Sequence, residues 1–328
     1  MGNEQDHRGR LDLRLNAGEG ANVTPKPIDA LDFAEVRRAF DRAAPGYDAH
    51  AVLQREVCDR LLARLDYMSL QPRRVLDAGC GTGYGLAHLH ARYPDAELCG
   101  LDIAPGMLAA ARARVPQPGW VQRTLQRFTS QGARSMDLLC ADLGRLPLAA
   151  DSVQLAWSSL ALQWACDLEA ALKGFHRVLA PGGLLMFATF GPDTLKELRA
   201  AFGAIDNAPH VNRFIDLHDI GDMLVHAGFA HPVMEMEMLT LTYADLAALM
   251  RDLKGLGAHN AAAARQRGLF GKAAWARLQA VYEAYRVDGR LPATFEVIYG
   301  HAWAGDKTRR EDGRQVIQMK ITRKRAGR

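Results

Sequence analysis

The chain has 328 residues and a mass of 36.0 kDa, the size of one large domain or of one domain with an added cap, given a usual domain of about 100–200 residues. Its composition, 48% hydrophobic and 24% charged, excludes wholesale disorder, collagen-like and coiled-coil architectures. The formal charge of +4, from 41 Lys and Arg against 37 Asp and Glu, is too small to imply nucleic-acid binding by bulk charge, and no apolar run approaches the roughly 18 residues that span a bilayer.

In chain order, residues 1–31 carry Glu4, Asp6, Arg8, Asp12 and Glu19 with no apolar core. That excludes a signal peptide, fits an acid-poor transit peptide badly, and predicts a disordered segment. Residues 34–65 read as one or two helices interrupted at Pro45-Gly46. Arg74-Val75-Leu76 is a short strand ending at Asp77, and 85–92 reads as a helix. A second strand over 97–101 and a helix over 107–114 follow, then buried strands over 136–140 and 153–157. Leu168, Ala171, Leu172, Phe175 and Leu179 stand at helical spacing. Pro181-Gly182-Gly183 breaks that helix before a buried strand over 184–189. Strands alternating with helices predict an α/β fold, a mostly parallel sheet covered on both faces. Helices over 193–202, 217–227 and 243–254 and a broken helical stretch over 261–286 flank an alternating strand over 233–242, and 295–303 reads as the final strand. The long insertion, about 191–290, is expected to form a helical cap over the ligand-binding end of the sheet. Residues 306–328 form a basic tail, with Arg323, Lys324, Arg325 and Arg328 clustered. The five cysteines make no Cys-x-x-Cys pair, which predicts reduced thiols, a cytoplasmic location and no metal site.

The strongest motif is Val75-Leu76-Asp77-Ala78-Gly79-Cys80-Gly81-Thr82-Gly83. A strand runs into a glycine cluster and then a helix, as needed where the chain turns sharply and a ligand lies against backbone. A dinucleotide site would want Gly-x-Gly-x-x-Gly, yet the last position falls on Tyr84 or Leu86. Asp77 would repel a diphosphate and suits a cation. S-adenosyl-L-methionine carries an ammonium and a sulfonium and has no phosphate. Asp102, 25 residues on at the end of the next strand, can accept both ribose hydroxyls. Asp142 follows the third strand and can accept an adenine amino group, with Leu143 against the ring. Three acids in order, each at a strand end on one edge of the sheet, are far more specific than any one of them.

These motifs, with Leu146-Pro147-Leu148, resemble those of class I S-adenosylmethionine-dependent methyltransferases. The resemblance implies a Rossmann-like, seven-stranded sheet, helices on both faces, with its last strand antiparallel. It implies a methyltransferase domain over 32–305: N-terminal helices at 34–65, a cofactor-binding core at 73–190, the cap, and a final strand at 295–303. Cofactor contacts are implied at Asp77, Gly79, Cys80, Gly81, Gly83, Asp102, Ile103, Met107, Asp142, Leu143 and Ser158. Finer segments include Phe40-Asp41-Arg42-Ala43-Ala44, Ser158-Ser159-Leu160-Ala161-Leu162-Gln163-Trp164, Gly191-Pro192-Asp193-Thr194-Leu195-Lys196-Glu197-Leu198 and Leu256-Gly257-Ala258-His259-Asn260. Together these resemble the malonyl-acyl-carrier-protein O-methyltransferases of biotin biosynthesis over about 39–303.

That likeness implies methylation of the free carboxylate of a malonyl thioester, borne by acyl-carrier protein or coenzyme A, with neither nucleic acid nor membrane as partner. Leu291-Pro292-Ala293-Thr294-Phe295 also resembles mitochondrial complex I assembly factors, so a protein-modifying or chaperoning role stands as an alternative, as does a small-molecule methyltransferase of other specificity. Arg199 and Arg213 are candidates to hold the substrate carboxylate with a planar fork. The resemblance places Tyr47 over the cofactor, and Trp164 is a candidate for the acceptor pocket. Arg251, Lys254, Arg265 and Arg267 could offer a basic surface to an acidic carrier. His218 and His226 read as surface residues and Asp193 as a helix N-cap.

Overall fold

Helix α1 (Phe33–Ala43) starts where the Asp32 carboxylate accepts a hydrogen bond from the Glu35 amide. Pro45-Gly46 ends it, and a four-residue α2 (Tyr47–His50) and then α3 (Val52–Arg64) follow. The region expected as one or two helices is therefore three. The computed structural model describes residues 32–114, 136–206, 208–257 and 271–305. The N-terminal segment expected to be disordered, the basic tail, Arg265 and Arg267 lie outside the described residues.

The sheet has seven strands: β1 (Arg74–Ala78), β2 (Glu97–Asp102), β3 (Met136–Cys140), β4 (Val153–Ser159), β5 (Leu179–Phe190), β6 (Phe229–Tyr243) and β7 (Leu291–Ala304), in the order β3-β2-β1-β4-β5-β7-β6. Strands β1 to β5 pair in parallel, and β7 runs antiparallel to β5 and β6, as the resemblance implied. Helices α4 (Tyr84–Arg92), α5 (Pro105–Arg114) and α6 (Leu168–Val178) follow β1, β2 and β4. The order reverses between β1 and β4, which opens a crevice at the carboxyl ends of these strands.

Successive strand residues face opposite sides, so two cores form. Val75, Leu155, Trp157 and Met186 pack with Val57 and Leu61 of α3 and Leu86 and Leu89 of α4. Leu76, Ala156, Leu185 and Phe187 pack with Leu172 and Phe175 of α6 and with α8 (Leu217–His226). Pro181-Gly182-Gly183 does not separate helix from strand. It lies within β5, where pairing steps from Val153–Leu179 to Leu155–Leu184 and Gly182 takes φ 74°.

The region expected as a single helical cap, 191–290, divides. Its middle is β6, paired with β7 from Phe229–Ala304 to Tyr243–Leu291. Ile220 and Leu224 of α8 lie in the α6 core. Among the described residues of this region, α7 (Lys196–Gly203), α9 (Leu246–Gly255) and α10 (Lys272–Glu283) pack on the other side, where Leu198, Leu249 and Leu278 join the α3 core. Sheet pairing claimed the alternating segment because its row of backbone groups needs partners. On β6, Glu235 and Glu237 pair with Arg64 and Arg60, which ties α3 to this edge strand.

Gly300 sits opposite Phe187 in the centre of β7. A Cβ there would stand 2.4 Å from Phe187 Cζ and 2.6 Å from Met234 Sδ. Overpacking of this kind costs about 1–3 kcal/mol. Gly300→Ala is expected to lower the thermal midpoint by several degrees, read by circular dichroism; an unchanged midpoint would show that the two side chains yield freely.

Candidate functional site

The turn after β1 is tied to β2, since Gly79 N and Cys80 N both donate to Leu101 O at 2.7 and 2.9 Å. Gly79 adopts φ 81°, and a Cβ on it would lie 2.1 Å from Ala161 Cβ, so neither conformation nor space admits a side chain. Gly81 adopts φ 52° with nothing within 4 Å of a built Cβ; it borders open space a ligand can enter. Gly83 begins α4, against Ala111 of α5.

Two adjoining pockets meet at this turn. The first is bordered by Asp102, Ile103, Met107, Asp142 and Leu143, with Phe33, Val36 and Phe40 of α1 opposite. Asp102 accepts from Gly81 N at 2.9 Å and Ala104 N at 2.8 Å. Burial lifts its pKa to about 6, against the pull of those backbone amides. Asp142 accepts from Gly144 N at 2.7 Å, which caps a short 3-10 turn.

The second pocket is bordered by Asp77, Cys80, Gly81, Gln54, Trp157 and Ser159. Asp77 is buried, and among the described residues no hydrogen bond or ion pair reaches its carboxylate. Burial first, and then the charge of Asp102, raise its pKa to about 8. The Trp157 Nε1 donor is also buried with no partner. An orphaned acid and an orphaned N–H in one pocket match the ammonium and carboxylate of a bound amino acid, which suits S-adenosyl-L-methionine.

Tyr47 borders both pockets, and burial pushes its phenol above the usual range, helped by Asp102 and Asp48. Its helix α2 is held on two sides. Thr82 Oγ1 donates to Asp48 Oδ1 at 2.7 Å, and Arg114 pairs with Asp48. His50 Nδ1 lies 2.9 Å from Asp252 Oδ1, and Tyr243 OH donates to Asp252 Oδ2 at 2.8 Å.

Ser158 corrects one expectation. It is fully buried and donates to Ala78 O at 2.8 Å, away from both pockets. Its neighbour Ser159 borders both, because alternation along β4 turns it to the other side.

Beyond lies a cavity of about 890 Å³ lined by Phe190, Leu198, Phe202, Phe214, Met250 and Phe295 among others. Trp164 is shared with the first pocket and Gln54 with the second, so the cavity adjoins both. Trp164 packs edge-on to Phe40 at 5.3 Å. Neither Arg199 nor Arg213 lines it. Arg199 donates to Pro192 O at 2.7 Å and Thr194 O at 2.9 Å, and burial lowers its pKa; Arg213 is exposed. The described cations on the lining are Arg42, Arg251 and Lys254, all exposed, with Arg42 paired to Glu35 at 2.9 Å. His218 and His226 are exposed on α8. Asp193 is not the cap of α7: Leu195 holds that place, and Asp193 pairs with Lys196 at 3.4 Å.

Sequence reasoning missed Phe33, Val36, Gln54 and Ser159. The spacing of Phe33, Val36 and Phe40 was a usable signal for a face directed at a pocket; Gln54 had none. Among the described residues no group of three or more His, Cys, Asp or Glu could hold a metal ion, and no helix is long and apolar enough to cross a membrane.

A family described as a methyltransferase domain matches residues 76–187. The chain is 57% identical over 291 residues to the malonyl-[acyl-carrier protein] O-methyltransferase of Laribacter hongkongensis, covering 88% of this chain and 96% of that protein. It is 55% identical to the protein of the same name from Gallionella capsiferriformans, with 88% and 96% covered. The one from Halorhodospira halophila is 48% identical, with 91% and 97% covered. Among solved structures, a chain of the complex between the Haloferax volcanii Trm112 methyltransferase activator and a methyltransferase superposes with a TM-score of 0.51 at 22% identity, covering 84% of this chain and 100% of that one; this likeness concerns the fold.

The Asp77 carboxyl has a consequence for stability. Its pKa is raised on folding, from 3.8 to about 8, so the folded state holds the proton more tightly. Its contribution is fully present below about pH 4 and is lost as pH rises through about 8. Asp102, raised to about 6, adds a smaller decline at lower pH. Asp77→Asn is expected to flatten the upper part of this decline, so that the ligand-free variant melts above the wild type near pH 9 and the gap narrows toward pH 5. A gap that does not depend on pH would overturn this assignment.

Proposed function

The chain belongs to the family of malonyl-[acyl-carrier protein] O-methyltransferases, and we propose that it methylates the free carboxylate of a malonyl thioester borne by acyl-carrier protein, using S-adenosyl-L-methionine. The observation that carries this reading is the junction of the two strand-end pockets with the apolar cavity at Trp164 and Gln54. A methyl donor and an acyl chain can meet there. The product, an uncharged methyl ester, would let fatty-acid elongation extend the acyl group toward biotin.

When bound, S-adenosyl-L-methionine supplies a methyl group on a sulfonium sulfur, which a carboxylate oxygen takes by single in-line displacement to leave a neutral sulfide. In this reading Asp77 receives the ammonium and Trp157 Nε1 donates to the amino-acid carboxylate. Asp102 holds the ribose hydroxyls with the lone pairs that Gly81 N and Ala104 N leave open. Asp142 and Leu143 receive the adenine. The acceptor needs no general base, because a carboxyl of ordinary pKa, about 4, is ionised at pH 7. The protein contributes alignment, which can supply roughly 7–11 kcal/mol. It also excludes water: Phe33, Val36, Phe40 and Tyr47 cover the pocket with apolar surface, which leaves the carboxylate poorly solvated and more reactive. The thiols of Cys58, Cys80 and Cys99 are free and buried, consistent with a reducing cytoplasm.

Incubation with methyl-labelled S-adenosyl-L-methionine and malonyl-carrier protein is expected to place label in a base-labile ester. No transfer, with cofactor binding intact, would overturn the proposed substrate. The exposed Arg251 and Lys254 at the cavity offer positive charge to an acidic carrier. The double change Arg251→Glu with Lys254→Glu is expected to raise KM for the carrier-bound substrate about tenfold at low salt and to flatten its salt dependence. An unchanged KM would remove these residues from docking.

A further inference from the structure

Gln54 and Cys58 stand four residues apart on α3, so they share one face of that helix. Both border the pocket that holds Asp77. Gly85, in the first turn of α4, marks the place: a Cβ built on it would lie 3.2 Å from Cys58 Sγ, 3.4 Å from Trp157 Nε1 and 3.5 Å from Asp77 Oδ2. Thiol, indole and acid flank one point, with Gln54 one turn of α3 away. The Gln54 Oε1 is buried and accepts no hydrogen bond among the described residues. Its backbone is held from the N-terminal side, where Asp48 is tied to Thr82 and Arg114 and Leu53 is buried in the core.

The groups left unmatched around this pocket do not satisfy one another. The Gln54 oxygen and the Asp77 carboxylate are acceptors, and the Trp157 Nε1 donor reaches neither. Buried polar groups are retained where something supplies the missing partner. An ionised carboxylate cannot serve these two acceptors, because it carries lone pairs only, and a hydroxyl has one proton to give. An ammonium has three. It also brings the positive charge that Asp77 lacks, and hydrogen bonds from a charged donor are the strong ones. The amino-acid end of the cofactor carries such a group.

We propose that Gln54 Oε1 and Asp77 together receive the ammonium of S-adenosyl-L-methionine, the amide oxygen as the second acceptor beside the acid. This rests on the cofactor half of the proposed function and is independent of which acceptor is methylated. The ammonium keeps its charge through methyl transfer, and S-adenosyl-L-homocysteine carries the same group. Gln54 therefore holds reactant, transition state and product alike, which sets affinity for the cofactor and leaves turnover at saturation alone.

The test measures binding of S-adenosyl-L-homocysteine and of its desamino analogue, which keeps the carboxylate, by calorimetry on wild type, Gln54→Leu and Gln54→Asn. Gln54→Leu keeps the volume and removes the acceptor; Gln54→Asn draws the acceptor back by one methylene. Each is expected to bind S-adenosyl-L-homocysteine about 10–100-fold more weakly, the worth of one hydrogen bond to a charged group, and the desamino analogue within about twofold of wild type. In turnover, KM for S-adenosyl-L-methionine rises by a similar factor, while kcat at saturation and KM for malonyl-carrier protein hold. If Gln54→Leu does not fold, Gln54→Asn decides alone. Equal losses for the two ligands, undiminished affinity for S-adenosyl-L-homocysteine, or a loss confined to kcat or to KM for the carrier would overturn the assignment. A wild type that binds neither S-adenosyl-L-methionine nor S-adenosyl-L-homocysteine would instead overturn the cofactor reading itself.

Discussion

A carboxylate buried without a counter-charge is the constraint around which this protein is arranged. Removing an ionised acid from water costs several kcal/mol unless a partner repays it; Asp77 has none within the described chain and keeps its proton to about pH 8 instead. A fold can keep such a group only if the surrounding packing is strong enough to hold it and if a ligand supplies the missing cation. The packing is there: β1 lies between β2 and β4, and the side chains around Asp77 belong to a core of Val57, Leu86 and Trp157. The glycine turn then brings backbone, in place of side chains, to the same spot. Local instability and affinity for a cationic cofactor are two readings of one arrangement.

The helices before the sheet complete what the strand ends begin. Without α1 and α2 the crevice would be an open groove; with them it is covered by Phe33, Val36, Phe40 and Tyr47. Gly106 N donates to Asp41 Oδ1 at 2.8 Å, which adds a third tether between the cover and the sheet. The cover is polar where it must be held and apolar where it must exclude water.

Much of what lines the strand-end pockets was legible in the sequence, because its parts are local. Asp77, Gly79, Gly81, Asp102 and Asp142 each follow a short apolar run, and parallel sheets bring such strand ends to one edge. Ser158 was misjudged for a reason of parity: one step along β4 exchanges pocket for core, and no periodicity in Ser158-Ser159 says which is which. The acceptor side was far less legible. Arg199 and Arg213 fell in the right region, but whether an arginine meets a ligand or a backbone carbonyl depends on contacts distant in sequence. Gln54 lacks any local signature, since its place beside two pockets comes from where α3 packs on the sheet. The Leu-Pro-Ala-Thr-Phe segment serves the architecture and, through Phe295, the cavity wall. It opens β7, where Thr294 N donates to buried Glu197 at 3.1 Å and fastens α7 to the sheet.

The division of labour between the two halves of the site bears on how such an enzyme can diverge. The strand ends that surround the cofactor pockets also carry the central packing, so change there is punished twice. Part of the wall of the large cavity comes from α7, the segment around His210 to Phe214, and α9, elements that border neither strand-end pocket. Drift in Leu198, Phe202, Val211 or Met250 would reshape this part of the large cavity while the strand-end pockets stay intact. New acceptors are therefore within reach of a lineage that never relearns how to hold its methyl donor.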